Sequence, residues 1–215
     1  MRYEDLGLKP VPRTPLTSFV QMRIREAAER FVRIADWQAM ASRQITELTG
    51  SEAGIVLACP AAAFMLIASF YLKRGSSKSF FVSETHVDAD AVRLCGGIVT
   101  RNPENAAASI VSGDYVLQGC LHEKSELPLI VLCTHTHTVE ELRNIARIAA
   151  ALIIPGAFLS GPERSTAVAC GHSMYTYLLE TAAPCHGLGR SAKIGKEEIT
   201  GLIAAVEEYT KGACQ

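Results

Sequence analysis

Two histidines one residue apart, in Thr134-His135-Thr136-His137-Thr138, form the most chemically suggestive spacing in this chain of 215 residues. On an extended strand, residues two apart share a face, so both imidazoles can reach one metal ion. A zinc-type site needs a third protein ligand, for which His86, His122, Glu84 or a cysteine are the available groups. Without that ligand and the groups that orient it, the pair reads as the polar end of a strand, and no residue is assigned to a metal on spacing alone. A second segment, Cys59-Pro60-Ala61-Ala62-Ala63, has the composition of a strand running into a helix. The first-turn N–H groups and the dipole of such a helix suit a phosphate, although an ordinary helix start fits the same residues. Pro60 sits well at a first helical position and removes one of the donors.

Seven lysines (9, 73, 78, 124, 193, 196 and 211) are the candidate amines, and Lys196, ahead of Glu197 and Glu198, reads as a solvated first-turn residue. The seven cysteines are odd in number, scattered and never arranged as C-x-x-C, which suits reduced, apolar packing in a cytoplasmic setting. Twenty-one basic against 22 acidic side chains give a formal charge of -1. That balance supplies no electrostatic footprint for nucleic acid or an anionic membrane, so small molecules or protein are the expected partners. The longest apolar run, Ala58 to Leu72, falls short of the roughly 20 residues a bilayer span requires.

These residues must be positioned by the elements around them. Residues 1–21, with Pro10, Pro12 and Pro15, read as an extended arm, and 22–215 as a single α/β domain. Helical spacing from Met22 to Thr49, slipping near Arg33 to Asp36, stops at Gly50. Strands are expected at Ser51–Ala58, Ser79–Ser83, Gly97–Thr100, Tyr115–Gln118, Leu129–Thr134, Ala151–Ile154 and Thr166–Cys170. Helices are expected at Ala61–Leu72, Ala89–Leu94, Pro103–Val111, from Thr138 to Ala150 through a capping box, and at Gly195–Thr210. The alternation predicts a three-layer α/β fold: a mostly parallel sheet with helices on both faces and function at the carboxyl ends of the strands.

Several segments, in order along the chain, carry a resemblance. Ile45-Thr46-Glu47-Leu48-Thr49-Gly50-Ser51-Glu52-Ala53-Gly54, the Ala61-Ala62-Ala63 turn, and Asp90-Ala91-Val92-Arg93-Leu94-Cys95-Gly96-Gly97 are three of them. The segment from Ser160-Gly161-Pro162-Glu163-Arg164-Ser165 to Gly171 is a fourth, and His186-Gly187-Leu188-Gly189-Arg190 through Lys196-Glu197-Glu198-Ile199 a fifth. Together they resemble the selenocysteine synthase-like family of pyridoxal phosphate enzymes, and most of all its D-glucosaminate-6-phosphate ammonia lyases. The resemblance implies the large domain of a fold type I enzyme in reduced form, and elimination or replacement at the β-carbon of an amino acid or amino sugar acid. It also implies assembly of like chains, with association expected through the helices Met22–Thr49 and Gly195–Thr210. It places pyridoxal phosphate against Ala61, Ala62, Ala63, Ser160 and Arg190.

The departures lie where the chemistry should be. The family writes Ser-Gly-Gly-Lys where this chain writes Ser160-Gly161-Pro162, so the lysine that forms the Schiff base has no counterpart. No Asp follows Asp114, so the carboxylate that pairs with the pyridine nitrogen is not found in the expected strand at Ala150 to Gly156. The family's small C-terminal domain would begin near Gln215. No residue is therefore assigned as catalytic, and two readings stand: a pyridoxal phosphate-dependent lyase or transferase, or a non-catalytic relic that folds or pairs. A His-based metal hydrolase is a more distant third.

Overall fold

A computed structural model describes residues 15–30, 33–75, 77–82, 90–119, 127–182 and 194–212. The expected arm lies mostly outside them. Thr17 accepts a hydrogen bond from the Val20 N–H and so caps helix α1 (Ser18–Ala28), which starts four residues before the predicted helical spacing. Helix α2 (Ile34–Thr49) follows the break expected near Arg33 and ends on Gly50, whose φ of 73° suits a residue without a side chain.

Seven strands form one sheet: β1 (Ala53–Leu57), β2 (Ser79–Val82), β3 (Ile98–Thr100), β4 (Ala108–Ser112), β5 (Leu129–Leu132), β6 (Ala151–Pro155) and β7 (Thr166–Cys170). Their order is β1-β7-β6-β5-β4-β2-β3. The pairs β2–β3, β2–β4, β4–β5 and β5–β6 are parallel, and β7 runs antiparallel to both of its neighbours. Helices α3 (Pro60–Arg74), α4 (Asp90–Leu94) and α7 (His172–Ala182) pack on one face. The other face carries α1, α2, α6 (Val139–Ile148) and α8 (Lys196–Thr210), with the short α5 (Gly113–Leu117) at its margin. The mostly parallel, three-layer α/β architecture predicted from the alternation is the one observed.

The strand side chains alternate between two cores, as a period of two requires. Val56, Val111, Val131, Leu152 and Ala167 join the core under α2 and α8. Ile55, Ile110, Ile130, Ile153 and Val168 join the core under α3 and α7. All ten are at most 1% exposed, and each large side chain contributes on the order of 1.5–3 kcal/mol on leaving water. The apolar face of α8, expected to meet a second chain, is spent inside this one against α1, α2 and the sheet, with Ile199 to Val206 buried.

One edge of the sheet is sealed by α2. The Gln38 amide donates to the Val56 carbonyl and accepts from the Val56 N–H at 2.7 and 2.9 Å, and the Ser42 hydroxyl accepts from the Gly54 N–H at 3.0 Å. The helix comes close enough because a Cβ on Gly54 would stand 2.4 Å from the Ile45 Cγ2. Two expected elements are corrected. Pro103–Val111 is not a helix, since its second half is strand β4 held between β2 and β5, and Tyr115–Gln118 is not a strand, since α5, capped by Ser112, occupies it. Helix α7 had no counterpart among the sequence expectations. No helix among the described residues is long and apolar enough to cross a membrane.

Candidate functional site

Because β7 is antiparallel to both β1 and β6, the strand β1 points the same way as the parallel strands. Cys59 after β1, Asp114 after β4, His135 and His137 after β5, and Ser160 after β6 therefore all emerge at one end of the sheet. This is the carboxyl end, where open α/β sheets place their ligands.

After β5 the chain runs through Cys133 to Thr138 and enters α6. That helix opens with a capping box: the Thr138 hydroxyl accepts from the Glu141 N–H at 3.2 Å, and the Glu141 carboxylate accepts from the Thr138 N–H at 2.7 Å. The two bonds fix the exit of the segment. The Thr138 N–H first, and second the Thr138 hydroxyl, which also donates to the Glu141 carboxylate at 3.0 Å, hold that carboxyl below its ordinary range. The Tyr209 hydroxyl, from the last turn of α8, donates to the His137 carbonyl and pins the backbone from the other side.

The His137 side chain is 1% exposed. Its Nδ1 stands 3.9 Å from the Glu141 carboxylate, and its Nε2 is buried without a hydrogen-bond partner. That edge of the ring lies over Gly113, where an added Cβ would stand 2.8 Å from Nε2. Burial first, and the His135 ring second, push the His137 pKa below its ordinary value, while Asp114 and Glu141 pull the other way. His135 packs its ring 4.3 Å from that of His137 and sets its Nδ1 3.3 Å from the Asp114 carboxylate, which also accepts from the Thr134 hydroxyl. Cys133 is buried beside them, and burial, with Asp114 adding to it, pushes its thiol up to about 12. It is a packed thiol, not a nucleophile.

Asp114 is the member of this group that the sequence reading missed. It stands 21 residues before His135 and next to it only because β4 and β5 are neighbours. The available signal was the apolar run Ala106 to Val111 ending on Ser112-Gly113-Asp114, a strand-end pattern hidden by reading that run as a helix. Of the ligands expected beside the histidines, His86, His122 and Glu84 lie outside the described residues.

At the β1 and β6 side, Cys59 caps α3, its sulfur accepting from the Ala62 N–H. The Ala63 N–H goes to the Cys59 carbonyl, and Ala63 is fully buried. Pro60 has no N–H, so the first turn offers a ligand the Ala61 N–H. Ala61 and Ala62 line an open hollow of about 310 Å³ with Cys59, Met65, Glu163 and Arg164.

The β6–β7 connection facing that hollow closes on itself. It begins with a single 3-10 turn, Gly156–Leu159, and passes through Ser160 at a left-handed φ of 58°. The Gly156 N–H donates to the Ser165 carbonyl, the Gly161 N–H to the Gly156 carbonyl, and the Ser165 hydroxyl to the Pro162 carbonyl. Strand β6 fills the stretch Ala150 to Gly156 and leads straight into this loop. Among the described lysines, Lys196 donates to the Ala28 and Arg30 carbonyls, Lys211 pairs with Glu207, Lys73 lies over the Tyr177 ring, and Lys78 precedes β2. Arg190, together with His186, Ser191 and Lys193, lies outside the described residues.

Neither a family model nor a curated protein sequence matches the chain. Solved structures do. A D-glucosaminate-6-phosphate ammonia-lyase superposes with a TM-score of 0.73 over 98% of this chain and 70% of its own length, at 21% identity. A serine palmitoyltransferase from S. paucimobilis, with a bound PLP-myriocin aldimine, superposes with a TM-score of 0.68 over 93% of this chain at 12% identity. The serine palmitoyltransferase of Sphingomonas wittichii gives 0.65 over 92% at 10% identity. The chain spans 62% and 59% of these two transferases. At such identities the likeness is one of architecture, and by it the chain has the fold of the large domain of fold type I pyridoxal phosphate enzymes.

Proposed function

We propose that this chain is a relative of the fold type I lyases and transferases, of the D-glucosaminate-6-phosphate ammonia lyase and selenocysteine synthase-like kind, that no longer holds pyridoxal phosphate through a Schiff base. The observation that carries the proposal is the loop after β6: Ser160-Gly161 passes directly into Pro162, and the loop is closed by its own backbone with no amine in it. Internal aldimine formation needs a lysine placed within a fraction of an ångström of the cofactor aldehyde. The four described lysines are placed elsewhere. Among the described residues at the sheet end no amine stands where it could hold the cofactor covalently, and no catalytic step is assigned to one.

On this reading the hollow between the start of α3 and Arg164 keeps a weak, reversible preference for a phosphorylated small molecule of the amino acid or amino sugar acid class. One N–H, from Ala61, and the Arg164 guanidinium supply the attraction. Ser160, on the closed loop, and Arg190 remain with this proposal as residues near the ligand, as does self-association of the chain. The test is borohydride reduction of the purified chain with pyridoxal phosphate, followed by peptide mass spectrometry. The expected result is no stoichiometric adduct on any one lysine. A reduced cofactor on one lysine peptide, lost when that lysine is replaced by Ala, overturns the proposal.

A further inference from the structure

Asp114, His135 and His137 are none of the residues placed above against pyridoxal phosphate, and the group contains a buried imidazole nitrogen with no partner among the described residues. One donor atom from each of the three residues lies within 4.8 Å of the other two. We propose that these three residues form a binding site for a first-row divalent cation of the zinc type, with two imidazoles and one carboxylate as ligands and the remaining position open to solvent.

Four observations carry the proposal. The first is the chemistry of the set, since two histidines and a carboxylate are a donor combination that zinc and its neighbours in the transition series take, leaving room for water or substrate. Next comes the His137 Nε2, buried with no partner among the described residues, a costly state for an imidazole unless another group completes it. The third is orientation. The His137 Nδ1 lies 3.9 Å from the Glu141 carboxylate, a charge contact longer than a hydrogen bond that favours the ring orientation with Nε2 left to ligate. Glu141 is itself held by Thr138, and the His137 carbonyl by Tyr209, so the segment is fixed before any ion arrives.

The fourth is access. The side chains of His135 and Asp114 are 54% and 39% exposed, against 1% for His137. An ion thus meets two adjustable ligands from the solvent side and one buried ligand from the protein side. Ligands at about 2.0–2.1 Å from a tetrahedral ion stand about 3.4 Å apart, so rotation of the two exposed side chains is the movement binding requires. The nearby Cys133 is buried in the core under α2 and α8, and the clustered donors are nitrogen and oxygen atoms.

This inference does not rest on the reading of the β6–β7 loop, and its measurement does not involve pyridoxal phosphate. The untagged chain, stripped with a chelator, is titrated with Co²⁺ as a spectroscopic probe and with Zn²⁺ in competition. Expected is one equivalent of Co²⁺ with visible d–d absorption of a four- or five-coordinate ion, displaced by Zn²⁺. His135→Ala at an exposed position and Asp114→Asn, isosteric at a half-buried one, are compatible with folding and each weaken Co²⁺ binding by at least about tenfold. Glu140→Gln, one helical residue away on the exposed side, leaves it unchanged. Far-UV circular dichroism of the stripped variants checks that they fold. No binding below millimolar Co²⁺, or binding that survives both substitutions in folded protein, overturns the proposal.

Discussion

The loop after β6 and the segment after β5 leave the same end of the same sheet, one strand apart, and they spend their polar groups in opposite ways. The β6–β7 loop turns its N–H groups and the Ser165 hydroxyl onto its own carbonyls, and what remains is a closed, self-satisfied connection. The β5 segment instead gathers Asp114, His135, His137 and Glu141, and leaves a ring nitrogen unpaired inside. A scaffold can thus close the place where a cofactor would be anchored and still concentrate ionisable groups on the next strand. Satisfied backbone closes a surface, whereas an unpartnered buried nitrogen beside two solvent-accessible ionisable groups leaves a place for a further ligand.

Substitutions can break this contrast, and the largest effect belongs to the closed loop. A Cβ on Gly156 would stand 2.6 Å from the Pro162 carbonyl oxygen and 2.9 Å from that of Ser165, besides meeting the Ser165 hydroxyl. Backbone cannot swing aside, so Gly156→Ala should cost about 3 kcal/mol and lower the melting temperature by about 6–12 °C. A fall of under 2 °C would mean that the loop is not closed as described.

Acid should act on the other region. The His137 pKa is lowered in the fold, while the unfolded chain takes up a proton near 6.5, so below that pH the unfolded state binds more protons. The stability held above pH 6.5 is therefore lost as the pH falls toward the folded pKa, by up to about 1.4 kcal/mol per unit for this one group. Melting curves of the metal-free chain from pH 8 to 5.5 should show the loss, and His137→Gln should flatten it. A flat profile in the native sequence would place the ring in water.

Thr138→Ala removes half of the capping box and should cost about 1 kcal/mol by denaturant titration. The smallest effect sharpens the comparison most. Gly113→Ala introduces the same methyl as Gly156→Ala, but meets the His137 ring and the end of Ile145, which can shift. Helical preference at the start of α5 offsets part of that strain, so the net cost should stay under about 1 kcal/mol. Equal costs at the two glycines, measured by the same denaturant titration, would erase the distinction between the regions.

The outline of the fold was legible because buried strands are written as continuous apolar runs. Thr166 to Cys170 is a strand at its expected bounds, and Leu129 and Ala151 open strands where expected. The reading failed where local preference and tertiary pairing disagree. Asn102-Pro103 followed by Ala106-Ala107-Ala108 has the marks of a helix, yet Ser109 and Ile110 pair on both sides, with β2 and with β5, and the sheet prevails. That one error hid the third member of the site, since a carboxylate is placed beside two histidines by strand order, not by spacing. The start of α3 was legible as a turn into a helix. That the Cys59 sulfur and carbonyl already occupy the next two donors could be seen only in three dimensions.

The Gln38 and Ser42 clamp on β1 also bears on how copies of such a domain can meet. Pairing through sheet edges needs an edge with free N–H and C=O groups, and the clamp has already used those of Val56 and the N–H of Gly54. At the opposite end of the sheet, β3 pairs only with β2 among the described residues, and Ile98 on it is 57% exposed. Copies joined by strand addition at β3 would share a two-fold axis and present only sealed edges outward. Such a pairing terminates at two, and the domain carries in one glutamine and one serine its protection against growing into a fibre.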